Sequence, residues 1–351
     1  MVRSGSGVLD RMVRLCSSGA DARALRLELL AELRCAVGFD AYAWLLTDPE
    51  TTVGSAPLAD VPCLPELPRL IRLKYLTPVG RWTALPPPGV ATLLGATGGE
   101  PSRSRLWREL LAAYQVVDLA SVVFRDAYGC WGFLDLWRVG PAGPAFTAGE
   151  TGLLAEIAPA VTAGLRRAQA ATFTAPPGAG PSGPVVLLLS PELSPLAQTP
   201  QTDAYLRALV PPEGDARPVP AAAYNVGAQL LAVEDGVDGN PPAARVHLSG
   251  GHWLSVRAAR MDDAPAAVRG TIAVTIEPAS PGERLDLFGR AYGLTQRETE
   301  LLRQLAWGSD TRALARGMGV SEHTVQDHLK SVFARTGTRS RRDLLARALG
   351  G

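Results

Sequence analysis

The sequence predicts a multidomain α+β protein that closes with an all-α domain of four helices, and three observations carry that expectation. A Pro/Gly-rich run, ATFTAPPGAGPSGP at 171–184, has the composition of a linker and divides the chain. Segments of strand period and of helix period alternate on both sides of it. From residue 285 onward every apolar pattern is helical. A chain of 351 residues also exceeds one ordinary domain.

The first domain, 1–170, opens with a helix over ADARALRLELLAELRCAVGF, whose apolar residues recur at three and four, followed by a strand at DAYAWLLT. LASVVFRDAYGCWGFLDLWRV reads as two strands around a turn near Asp126 to Gly129. Thr147 and Glu150 then form a capping box that starts a long helix running to Gln169. Helix, strands and terminal helix in this order make an α+β domain.

Residues 185–280 read as a small sheet-dominated domain. GPVVLLLS, NVGAQLLAVE and GTIAVTIEP are expected strands, and TDAYLRAL a short helix. ARVHLSGGHWLSVRAARM is a hairpin turning at Gly250 and Gly251. No internal repeat has a solenoid period.

Residues 285–351 make the helical domain. Thr295 and Glu298 box the first helix and Gly308 ends it; Ser309 caps a second helix, which Gly319 ends. Ser321 caps the third and Ser340 the fourth. On the third, Val325, Leu329, Val332 and Phe333 fall on one stripe and His323, Gln326, Asp327 and Lys330 on the far side. His328, at the stripe's edge, is expected to pack. Small Ala315 and the turn at Gly319 fit a helix-turn-helix that presents this third helix outward.

Such a helix fits the DNA major groove, where Gln pairs with adenine, Lys with guanine, and Asp accepts from cytosine. With Ser321 at the helix start, Thr324, Arg335, Arg339, Ser340 and Arg341 are the candidate phosphate contacts. Eleven Arg/Lys against seven Asp/Glu between 285 and 351 give this end a charge of +4, although the whole chain carries only +1.

The stretch LTQRETELLRQLAWGSDTRALARGMGVSEHTVQDHLKSVFARTGTRSRRDLLARA resembles the LuxR-type DNA-binding domain, four helices of which the third is the recognition helix. It covers about 60 of the 351 residues. Gln326 stands where that family often has Lys, and Ser331-Val332 where Asn-Ile is common, so target sequence does not carry over. The resemblance implies a transcription regulator that pairs on double-stranded DNA as a homodimer through its fourth helix, here Leu345 and Ala348. RNA polymerase is a further implied partner.

Upstream, element order resembles a GAF-type sensor in the first domain and a PAS-like fold in 185–280, with no paired acidic residues of a phosphorylated receiver. VGFDAYAW, 37–44, is similar to the acyl-homoserine-lactone-binding domain, a rival reading. A small-molecule effector would sit among first-domain aromatics, with Tyr42, Trp44 and Trp131 as the candidate lining. The alternative is a protein-interaction or dimerisation module: an exposed apolar stripe on the 147–169 helix would favour it, a closed pocket the sensor.

Several classes are excluded. Lys74 and Lys330 are the only lysines and neither follows Gly, so no Walker-type phosphate loop can form. No G-x-S-x-G, H-E-x-x-H or dinucleotide loop occurs upstream, so no enzyme is expected. Four scattered cysteines suggest buried thiols, and His247 and His252 without carboxylate or thiol company suggest no metal; no cofactor is expected. No run of 18 apolar residues and no signal-peptide core occur, so the expected setting is cytoplasmic, away from membranes.

Overall fold

The computed structural model describes residues 5–140, 143–174, 183–209, 218–248, 252–261 and 270–350, without the side chains of residues 5 and 6. In the first domain α1 (Gly5–Cys16) and α2 (Ala22–Ala36) precede β1 (Ala41–Thr47) and β2 (Gly54–Asp60). Then come α3 (Leu67–Leu76), β3 (Val90–Thr92), the short α4 (Leu93–Thr97) and α5 (Arg105–Glu109), β4 (Val116–Asp126), β5 (Gly129–Val139) and α6 (Ala148–Ala171). The strands form one antiparallel sheet in the order β2-β1-β5-β4-β3.

Both faces of this sheet are covered, so its central strands are apolar on alternate sides. Trp44, Phe124 and Leu134 point to α1, α2 and α6, where they meet Met12, Leu29 and Ile157. Leu45, Val123 and Phe133 point the other way, toward Tyr75 and Trp82. The sequence reading misses the elements between β2 and β4, which apart from α3 are five residues or fewer.

The second unit contains β6 (Val185–Leu189), β7 (Pro195–Gln198), α7 (Thr202–Leu209), α8 (Ala221–Glu234), β8 (Ala243–His247), β9 (Trp253–Arg260) and β10 (Ile272–Pro278). Its antiparallel order is β7-β6-β10-β9-β8. Counted from each unit's first strand, the two sheets share one order, 2-1-5-4-3, a topological repeat invisible as sequence similarity. The upstream architecture is thus two five-stranded antiparallel sheets with helices.

NVGAQLLAVE, expected as a strand, is instead the body of helix α8. Eleven α8 residues are buried because α8 is sandwiched between its own sheet and the first domain's α3 and β2. A helix buried all round is apolar all round, and a short apolar run then has no amphipathic period to tell it from a strand. Close packing is visible at Gly227, where a Cβ would come within 3.0 Å of Leu193 Cδ2. The expected glycine turn at 250–251 lies outside the described residues.

The linker also begins later than its composition implies. Residues 171–174 complete the α6 helix end, and buried Phe173 stacks on Trp253 with centroids 5.4 Å apart and meets Phe288 edge-on at 5.3 Å. These rings join the first domain, the second and the C-terminal helices.

The C-terminal part contains α9 (Pro281–Ala291), α10 (Gln296–Ala306), α11 (Thr311–Met318), α12 (Glu322–Thr336) and α13 (Arg341–Leu349). The sequence reading misses α9, although Ser280 and Glu283 give it a complete capping box. α9 packs against α6, α10 and α13 and so connects the upstream domains to the last four helices. Among the described residues no helix is long and apolar enough to cross a membrane.

Candidate nucleic-acid interface

α11 and α12 form the helix-turn-helix. Asp310, not Ser309, caps α11, its Oδ1 accepting from Ala313 N at 2.7 Å. At the other end Gly319 adopts φ +65°, where a Cβ is strained, and Val320 N donates back to Ala315 O. Ser321 then caps α12, accepting from Thr324 N at 3.1 Å. Val325, Leu329 and Val332 are fully buried against the neighbouring helices, Phe333 and His328 half-buried.

That packing leaves the far side of α12 open. Ser321, His323, Gln326, Asp327 and Lys330 are exposed and Thr324 is half-buried. Asp327 lies 3.2 Å from Lys330 Nζ and 3.5 Å from His323 Nε2. Exposed pairs like these are weak, so they exchange for other partners at little cost.

The arginines divide. Arg339 is exposed beside the Ser340 cap of α13. Arg335 is already engaged, Nη1 donating to Gly293 O at 2.8 Å and Nε lying 3.7 Å from Glu298. Arg341 Nη2 donates to Thr311 Oγ1 at 2.7 Å, tying α13 to α11. Exposed Arg316 on α11 and Arg342 on α13 are missed by the sequence reading, having no patterned position to single them out.

Glu298 does more than close a capping box. Its buried carboxylate accepts from Thr295 N at 2.7 Å and from Ser331 Oγ at 2.5 Å, fastening α12 to α10. Burial pushes this carboxyl up, but the hydrogen bonds from Ser331 and Thr295 and the charge of Arg335 together hold it below the usual carboxylate range. α12 is therefore set by polar ties as well as by its apolar stripe.

Ala348 has no exposed surface and Leu345 is half-buried, because α13 rests on α9. In this conformation the residues expected to pair two chains are occupied within one.

The candidate effector pocket is also displaced. Trp44 stacks on Phe124 at 5.4 Å in the helix-covered core, and Trp131 is buried with Nε1 donating to Asp126. Tyr42 meets Phe39 edge-on. None of the three lines the apolar cavity of about 200 Å3 on the opposite side of the sheet, between β1, β5, α3 and α8. Side chains alternate across a strand, so an aromatic count does not say which face holds space. Trp82 and Trp137, also among the first-domain aromatics, do line it.

Residues 293–348 match the model of the family described as bacterial regulatory proteins, luxR family. No curated protein matches the chain. Among solved structures, the bacteriophytochrome RpBphP3 from the photosynthetic bacterium R. palustris aligns at 12% identity and a TM-score of 0.30, covering 79% of this chain. The chain spans 63% of that structure's length. Residues 293–348 are a helix-turn-helix DNA-binding domain of the luxR family.

Proposed function

We propose that the chain is a sequence-specific transcription regulator, not an enzyme, that binds double-stranded DNA as a homodimer and takes a small-molecule signal through its upstream domains. The observation that carries this reading is the outward polar face of α12 on a luxR-family domain. Gln326, Lys330, Asp327 and His323 face the bases; Ser321, Thr324, Arg339 and Ser340 face phosphates. Arg335 and Arg341 join them by exchanging their present partners, Gly293 and Thr311.

Pairing through Leu345 and Ala348 requires α13 to leave α9, which would couple dimerisation to the upstream domains through α9 and Phe173. The rival docking role for α6 finds no support in its exposed positions, where Gly152, Glu156, Pro159 and Arg167 form no apolar stripe.

Selection of bound sequences from a random DNA pool, using the full chain, tests the reading. The expected product is a near-palindrome whose half-sites are spaced by about one helical turn, roughly 10 base pairs. Absence of any enriched sequence overturns it.

A further inference from the structure

The cavity behind the first sheet is the feature that the DNA-binding reading leaves unexplained. Its walls come from two domains: Ala43 and Leu45 on β1, Ile71 and Lys74 on α3, and Asn225 on α8 of the second unit. It is overwhelmingly apolar, which makes its polar members informative.

Lys74 and Asp135 form one polar member. They are buried 3.0 Å apart, and Asp135 also accepts from Ser121 Oγ at 2.6 Å and Trp82 Nε1 at 2.9 Å. Lys74 lies over the Trp82 ring at 4.5 Å. Both charges are therefore balanced and their hydrogen-bonding capacity largely used. A charged ligand entering here would bury a charge without a counterpart.

Asn225 is the opposite case. It is only 1% exposed, and neither its Nδ2 nor its Oδ1 has a hydrogen-bond partner among the described residues. Buried side-chain amides in native proteins are nearly always paired, so a carboxamide with a free donor and a free acceptor beside an apolar space needs an occupant that supplies both. Another carboxamide-type group does so, its carbonyl taking the Nδ2 proton while its N–H donates to Oδ1.

Size narrows the class further. Apolar cavities of roughly 150 Å3 accept benzene. The present space of about 200 Å3 therefore takes one ring or a short branched chain plus the polar group, and is too small for a long acyl tail.

We propose that this cavity is a ligand site for a small neutral molecule with one compact apolar body and a carboxamide-type donor-acceptor edge held by Asn225. This deepens the sensing part of the function proposed above and rests on it. Because α8 belongs to one domain and the remaining polar wall to the other, such a ligand fastens the two together. It shifts the protein toward the joined arrangement by as much as it prefers that arrangement.

Calorimetric titration of the full chain with benzamide, benzoate and toluene tests the proposal. Benzamide is expected to bind at least tenfold more tightly than either toluene or benzoate, and Asn225→Leu to keep toluene binding while losing the preference for benzamide. Ile71→Trp, which fills the cavity from α3, is expected to abolish binding of all three, so the site is tested even if Asn225→Leu does not fold. The proposal is overturned by no benzamide binding, by toluene or benzoate matching benzamide, or by benzamide binding that survives Ile71→Trp. Benzamide binding through Asn225 that leaves affinity for the selected DNA unchanged keeps the site and overturns its part in sensing; a failed DNA selection with intact benzamide binding overturns the regulator reading alone.

Discussion

Arg245 clasps Asp48 across 197 residues of chain, Nε donating to Oδ2 and Nη2 to Oδ1, both at 2.7 Å, while the Arg245 backbone N–H adds a bond to Oδ2 at 2.8 Å. Asp48 is completely buried and also accepts from Glu50 N and Thr51 N in the β1–β2 turn. Burial works against the arginine's charge, yet the hydrogen bonds and charge of Asp48 raise its pKa. Glu50 continues the line, 2.8 Å from Arg245 and 3.5 Å from Arg290 on α9. Polar contacts thus run from the first domain through the second to α9.

Removing Asp48 would strand a buried guanidinium. Asp48→Ala is expected to cost about 3–5 kcal/mol in urea unfolding, the usual penalty for half of a buried pair. Adding Arg245→Met should recover the part of that loss due to the stranded charge, while the backbone N–H groups that Asp48 accepts from stay unpaired. A single-variant loss below about 1 kcal/mol would show that the clasp contributes little.

In the proposed complex Gln326 meets a base and Arg339 a phosphate, so their replacement should separate specificity from affinity. Gln326→Ala is expected to relax preference at one base position by about 1–3 kcal/mol, leaving the salt dependence unchanged. Arg339→Ala should weaken every sequence alike and reduce the salt slope by about 1. Quantitative binding to a panel of single-base operator variants at several salt concentrations distinguishes them. Equal, sequence-independent losses from both variants would remove Gln326 from base reading.

The helix-turn-helix is legible in the sequence because its signals are local. Ser321, Gly319 and the Val325-Leu329-Val332 stripe each act within a few residues of themselves. The cavity is not legible, since Asn225 and Ile71 meet only when α8 packs on α3, and α8 itself looks like a strand once both its sides are apolar. Arg335 and Arg341 show a third limit: their residue types suit phosphate, but Gly293 and Thr311 reach them first through tertiary packing. The shared strand order of the two sheets is a property of topology that no residue pattern records.

His247 should make stability fall on mild acidification. Burial, helped by the nearby charges of Arg284 and His252, pushes its imidazole down from 6.5 to about 4. The unfolded chain therefore takes up a proton at His247 before the folded one does. Its contribution to stability is complete above pH 6.5 and is lost as pH falls toward 4, amounting to about 3 kcal/mol by linkage. His247→Gln cannot titrate, so the difference in unfolding free energy between wild type and variant should shrink by that order across this window. A constant difference would mean that His247 titrates alike in both states.

The unmet hydrogen bonds of Asn225 should destabilise the ligand-free protein. Leaving a buried donor or acceptor unpaired costs about 1–3 kcal/mol, whereas an apolar group of similar shape carries no such penalty. Asn225→Leu is therefore expected to raise the unfolding free energy of the ligand-free chain by about 1–3 kcal/mol, as judged by urea melts, although Asn225 sits in the buried first half of α8. Binding sites commonly hold groups that favour the ligand at the expense of the fold. A less stable variant would show that the Asn225 carboxamide is satisfied in solution, and would take away the reason for assigning it a ligand.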